Sequence, residues 1–220
     1  SSNEKLILHG VSGKIIKAIT KNQSSLVSLS ESNDLVFAIG PAGTGKTYTA
    51  IAIAVKALKE NKVRKIILTK PAIEAGENLG FLPGDLKEKL DPYIQPLYDS
   101  LYEMIPSNKL SAHIRDKTIE IAPLAYMRGR TLDEAFVILD EAQNTTKAQM
   151  KMFLTRMGRN AKFIITGDPG QIDLPTGIKS GLKEALIILK KIKNISVVKF
   201  NDTDIIRHPL VKKIIKAYGV

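Results

Sequence analysis

Two short blocks of this 220-residue chain carry residue types whose chemistry is narrow. The first, Gly40-Pro41-Ala42-Gly43-Thr44-Gly45-Lys46-Thr47, fits the pattern G-x-x-x-x-G-K-[ST]. Glycines at these positions let the backbone curl until successive N–H groups point into one concavity, which suits phosphate oxygens. A helix beginning at the end of the block adds the positive end of its dipole. In such a loop Lys46 reaches the terminal phosphates of a nucleotide, and the Thr47 hydroxyl ligates Mg²⁺. The second block is Phe136-Val137-Ile138-Leu139-Asp140-Glu141, four apolar residues closed by two carboxylates. Beside a phosphate loop, Asp140 would hold Mg²⁺ directly or through water, and Glu141 would orient or deprotonate an attacking water. The bland alternatives are a glycine turn between strand and helix, and acids that cap the next helix. The two blocks together favour ATP and Mg²⁺ as cofactors.

Such residues need a rigid frame. Leu35–Ile39 (LVFAI) is a short apolar run that ends at the first glycine, and Thr47–Glu60 beyond the loop reads as a helix. Lys65–Thr69, Phe136–Leu139, Phe163–Thr166 and Ile195–Phe200 are similar runs. Continuous apolar runs, rather than alternating ones, predict parallel strands covered on both faces. Helical patterns at Thr146–Met157, Ser180–Lys191 and Pro209–Tyr218 alternate with them. The fold class expected is α/β: a P-loop NTPase with a mostly parallel sheet and helices on both faces. One stretch, 71–123, breaks the alternation. Its prolines at 92 and 96 are expected to break or start helical turns within Asp85–Met104, and Thr118–Ile121 reads as a strand. The stretch reads as an insertion covering the edge of the sheet. Residues 1–34 form a segment leading into the core, and 1–220 is expected to be one domain.

Composition narrows the class. At 44% hydrophobic and 25% charged, the chain has a globular rather than a disordered make-up. No run of about 18 apolar residues is present, so no membrane span is expected. The absence of Cys excludes thiolate chemistry, and a cytoplasmic setting is expected. The net charge of +11 suits a nucleic-acid binder, although solvated basic helix faces are also common. Nine Lys or Arg against three acids in 181–220 concentrate part of the excess at the C-terminus.

A third block, Thr166-Gly167-Asp168-Pro169-Gly170-Gln171, gives the pattern a resemblance. Asp140-Glu141-Ala142-Gln143 has the D-E-A-x form of helicases, and G-D-x-x-Q resembles a block of superfamily-one helicases. The resemblance implies that Gln171 senses the γ-phosphate. Gln23, upstream of the loop, resembles the adenine-reading glutamine of the same superfamily. More narrowly, Gly40–Thr47, Leu68–Glu77, Leu79–Gly84, Met127–Thr131 and Ile206-Arg207-His208-Pro209 resemble the PhoH family of bacterial ATPases over about residues 20–218. That family usually carries Arg where Lys70 stands. It implies a RecA/helicase-like core with a role in RNA metabolism.

The chain has one such core, whereas superfamily-one helicases close two over ATP. An arginine finger from a neighbouring subunit is therefore expected, in a homo-oligomeric ring such as a hexamer. Arg207 is the first candidate and Arg156 the second; a solvated or helix-capping arginine is the alternative for both. Thr69 and Lys70 stand where helicases contact the nucleic-acid backbone. Arg128 and Arg130 could contact single-stranded RNA phosphates, or Glu74 and Glu77 could pair with them. Tyr93, Tyr98, Tyr102 and Tyr126 could stack bases or fill the core. Three functions follow: an ATPase that binds, remodels or unwinds RNA; a regulatory ATPase controlling a partner such as a ribonuclease; or a small-molecule kinase. The water-positioning carboxylate and phosphate-sensing Gln count against the third.

Overall fold

A computed structural model describes residues 4–71 and 86–219. Its frame is a sheet of parallel strands. Among the described residues these are β3 (Leu35–Ile39), β4 (Lys65–Lys70), β5 (Ile119–Pro123), β6 (Ala135–Leu139), β7 (Lys162–Gly167) and β8 (Ile195–Lys199), in spatial order β5-β4-β6-β7-β3-β8. The predicted central strands are all present. A separate antiparallel pair, β1 (Lys5–His9) and β2 (Ile15–Ala18), precedes them.

Period-two alternation divides the strand residues between two cores. Val36, Ala38, Ile66, Leu68, Phe136 and Ile138 face one core, completed by α1 (Lys21–Ser32), α2 (Lys46–Lys59), α3 (Leu86–Met104), α4 (Ser107–Arg115) and the β1–β2 pair. Phe37, Ile67, Val137, Leu139 and Phe163 face the other, beneath α5 (Lys147–Leu154) and α6 (Gly181–Leu189). There Phe153 and Phe163 pack with ring centroids 4.9 Å apart. Both faces are thus covered, as continuous apolar strands require. The last helix, α7 (Pro209–Ala217), buries none of its residues.

The 71–123 stretch departs from expectation in two ways. Its β5 pairs in parallel with β4, Ile66 beside Ile119, so it supplies an edge strand rather than a cover. Its α3 runs unbroken through Pro92 and Pro96. The two prolines are four residues apart and exposed, so they lie on one outer face, where water can satisfy the carbonyls they leave unpaired. Leu97, Leu101 and Met104 are buried and anchor the helix.

Candidate nucleotide site

The loop between β3 and α2 is tight by necessity. Gly40 has φ +144°, and a Cβ there would meet the Phe200 carbonyl oxygen at 2.3 Å. Gly43 and Gly45 both have φ +77°, a left-handed backbone that favours glycine. Pro41 and Thr44 complete the curl, the Thr44 hydroxyl donating to the Pro41 carbonyl at 2.9 Å. The Lys46 ammonium donates to the carbonyls of Gly40 (2.7 Å) and Pro41 (2.6 Å). Burial pushes its pKa down, opposed by Asp168, Asp140 and Glu141.

Ala42, Gly43, Gly45, Lys46 and Thr47 open onto a cavity of about 410 Å³, shared with Lys70, Asp140, Glu141, Asp168 and Gln171. Thr47 Oγ1 donates to Asp140 Oδ1 at 2.8 Å, and so does Thr166 Oγ1 at 2.8 Å. One hydroxyl and one carboxylate beside a phosphate cradle fit Mg²⁺. That ion takes few protein ligands and keeps phosphate oxygens and waters for the rest. Thr47 and Asp140 would hold it. Accordingly, no cluster of three potential metal-ligating side chains occurs among the described residues.

Glu141, at the end of β6, is exposed in a left-handed conformation, φ +54°. Gln143, unassigned in the sequence reading, is buried and ties the acidic block to the 166–171 block. Its amide donates to Glu141 Oε2 (2.6 Å) and to the Gln171 carbonyl (3.3 Å), and its oxygen accepts from the Asp168 N–H (3.1 Å). Gly167 makes room, since a Cβ there would stand 2.9 Å from Gln143 Oε1. The Gln171 side chain is exposed at the pocket rim. Thr166 was missed as well. The sole sequence signal for both was their place inside blocks already noted.

Other residues lie elsewhere than expected. Gln23 is buried at 3% exposure; its oxygen accepts from the Ile19 N–H, and its amide donates to the Thr44 carbonyl at 3.0 Å. It braces the phosphate loop through that bond. Thr69 is buried at 1% exposure, out of reach of a nucleic-acid backbone. The Lys70 ammonium turns into the pocket, 3.5 Å from Asp140 Oδ2 and donating to the Tyr93 carbonyl at 3.0 Å.

Arg130 makes a two-pronged ion pair with Glu120, 2.8 and 2.9 Å, which holds that carboxyl below its usual range. Arg128 is exposed. Glu74 and Glu77 lie outside the described residues. Among the tyrosines, Tyr98 and Tyr102 pair with centroids 6.5 Å apart. Arg156 donates to the carbonyls of Met152 and Arg130, a local structural role. Arg207 lies against its own phosphate loop: a Cβ on Gly43 would be 3.6 Å from its Nε, and the Ile206 N–H donates to the Gly43 carbonyl at 2.9 Å. Buried Asp204 secures that turn by accepting from Asn22 at 2.7 Å. The Arg207 guanidinium is exposed, beside the loop of its own chain and outside the residues that line the pocket.

Comparison with known proteins gives the family and the fold. The PhoH family (PhoH-like protein) matches residues 15–219. A PhoH-like protein of Bacillus subtilis is 60% identical over 99% of this chain and 68% of its own length. One of Mycobacterium tuberculosis is 55% identical over 94% of this chain and 59% of its own. The chain thus spans roughly six-tenths to two-thirds of these relatives. In fold it is similar to a DUF1998 helicase, MrfA, solved bound to DNA: TM-score 0.52, 14% identity, 91% of this chain and 29% of that one. The fold is that of helicase-like P-loop cores, and the chain belongs to the PhoH-like protein family.

Proposed function

We propose that the chain hydrolyses ATP bound with Mg²⁺ and couples hydrolysis to the binding or remodelling of RNA. The carrying observation is the convergence of Lys46, Thr47, Asp140, Glu141 and Gln171 on one pocket. The loop amides and Lys46 grip the phosphates. Thr47 and Asp140 would hold the cation, whose charge would offset that of the phosphate oxygens. Glu141, steadied by the Gln143 amide, orients a water and accepts its proton. Arg207, exposed beside Gly43, would supply positive charge in cis.

The RNA reading is supported by the net charge and by exposed Arg128. The fates of Thr69, Lys70 and Arg130 favour a second reading, a regulatory ATPase that controls a partner such as a ribonuclease. Steady-state ATP turnover with and without single-stranded RNA separates the two. Stimulation that fades with salt, and with Arg128→Glu, supports RNA coupling. Turnover indifferent to RNA refutes it and leaves the regulatory reading. Absence of any ATP turnover refutes both.

A further inference from the structure

We propose that Lys70 is a second phosphate-binding cation of the pocket, which contacts the terminal phosphate of a nucleoside triphosphate and thereby distinguishes triphosphate from diphosphate. The inference rests on the ATPase reading and deepens it.

Sheet order carries the argument. The strands run β4-β6-β7-β3, so the phosphate loop, at the end of β3, and Lys70, at the end of β4, flank the ends of β6 and β7. The loop amides and Lys46 grip the phosphates at the β3 side. A phosphate chain extending from there passes the ends of β7 and β6, where Asp168, Asp140 and Glu141 stand, and reaches the β4 side last. Lys70 lines the same cavity as these residues. Its side chain is 15% exposed, so its charge is directed into the pocket and not to solvent.

The local bonds leave it available. Asp140 Oδ1 is taken by the hydroxyls of Thr47 and Thr166, and the Lys70 ammonium stands at Oδ2. An ammonium has three N–H donors. Among the described residues, one goes to the Tyr93 carbonyl and one faces Asp140, which leaves a third for a phosphate oxygen. Charge balance points the same way. Among the described residues the pocket wall carries three carboxylates, Asp140, Glu141 and Asp168, against Lys46 and Lys70. The outermost phosphate is the most remote from the loop, and without Lys70 it would approach carboxylates with no cation from the β4 side.

The test is a pair of calorimetric titrations, with ADP and with the β,γ-imido analogue of ATP, both with Mg²⁺. Lys70→Met is expected to weaken the triphosphate analogue about 10-fold or more, the scale of a charged hydrogen bond, and ADP less than about 2-fold. Lys70→Arg, which keeps the charge, is expected to retain most of the preference. Retained ADP binding also shows that the variant is folded; if Lys70→Met is not, Lys70→Gln carries the same expectation. Equal weakening of both nucleotides would assign Lys70 a structural role through Asp140 and overturn the proposal, as would no change in either. A wild-type chain that binds neither nucleotide would overturn the ATPase reading itself, and this inference with it.

Discussion

Gln143→Met is the sharpest test of how the candidate site is held together. The substitution keeps an unbranched side chain of similar size and removes every hydrogen bond of the amide. Three bonds are lost: to the Glu141 carboxylate, to the Gln171 carbonyl and from the Asp168 N–H. Glu141 and Gln171 are exposed, so water replaces their shares and little stability goes with them. The Asp168 N–H is half-buried and loses its partner, which costs about 1–3 kcal/mol. At about 2–4 °C per kcal/mol for a chain this size, the melting temperature should therefore fall by about 2–12 °C. Turnover should fall further than stability suggests. General-base catalysis contributes roughly 10²–10⁴-fold, and an unsteered Glu141 retains part of it, so kcat should drop about 10–100-fold. ATP affinity should hold within about 3-fold, because Gln143 touches neither the loop nor Lys46. The assay is steady-state ATP turnover beside equilibrium nucleotide binding and thermal melting. A folded Gln143→Met protein with near-normal kcat would show that Glu141 does not depend on this amide, or is not the base.

Three further outcomes follow from the site. Glu141→Gln should bind ATP and hydrolyse it at least about 100-fold more slowly, whereas Asp140→Asn should weaken Mg²⁺ binding and raise the Mg²⁺ concentration that turnover requires; single-turnover assays across Mg²⁺ concentrations would expose an exchange of roles. Mixing Lys46→Ala subunits with Arg207→Ala subunits should restore no activity, because Arg207 sits on its own loop; recovery would return the finger to a neighbour. Arg130 depresses the pKa of Glu120, so their pair adds stability above the ordinary carboxylate pKa of about 4.3. That stability is lost as pH falls through the depressed folded value. The melting difference between wild type and Glu120→Gln should be constant near neutrality and vanish in acid.

The parallel strands were legible because both their faces are buried, which leaves an uninterrupted apolar run for each. The phosphate loop was legible because its backbone admits few residue types. Other elements carried no such signature. Helix α1 reads KNQSSLVSLSES, too polar and serine-rich to announce itself, and is held by its Thr20 cap and a few buried residues such as Leu26 and Val27. The β1–β2 pair is short and half exposed. The two prolines of α3 are an obstacle only where their freed carbonyls cannot reach water. Gln143 and Thr166 gain their roles when β6 and β7 come side by side, a proximity of more than twenty residues in sequence. Neither Asp140 for Lys70 nor Glu120 for Arg130 was named as a counter-charge, because only the fold brings those partners together.

The left-handed backbone of Glu141 sets stability and activity at odds. A residue with a Cβ pays about 1 kcal/mol or more to sit at φ +54°, and glycine or asparagine would sit there with less strain. A library selected for heat resistance alone should enrich those two residues at this position, and each would discard the carboxylate assigned to the water. Selection on turnover would hold the glutamate in place against that gradient. Position 141 is thus one where the most thermally robust descendants of this protein should also be its slowest.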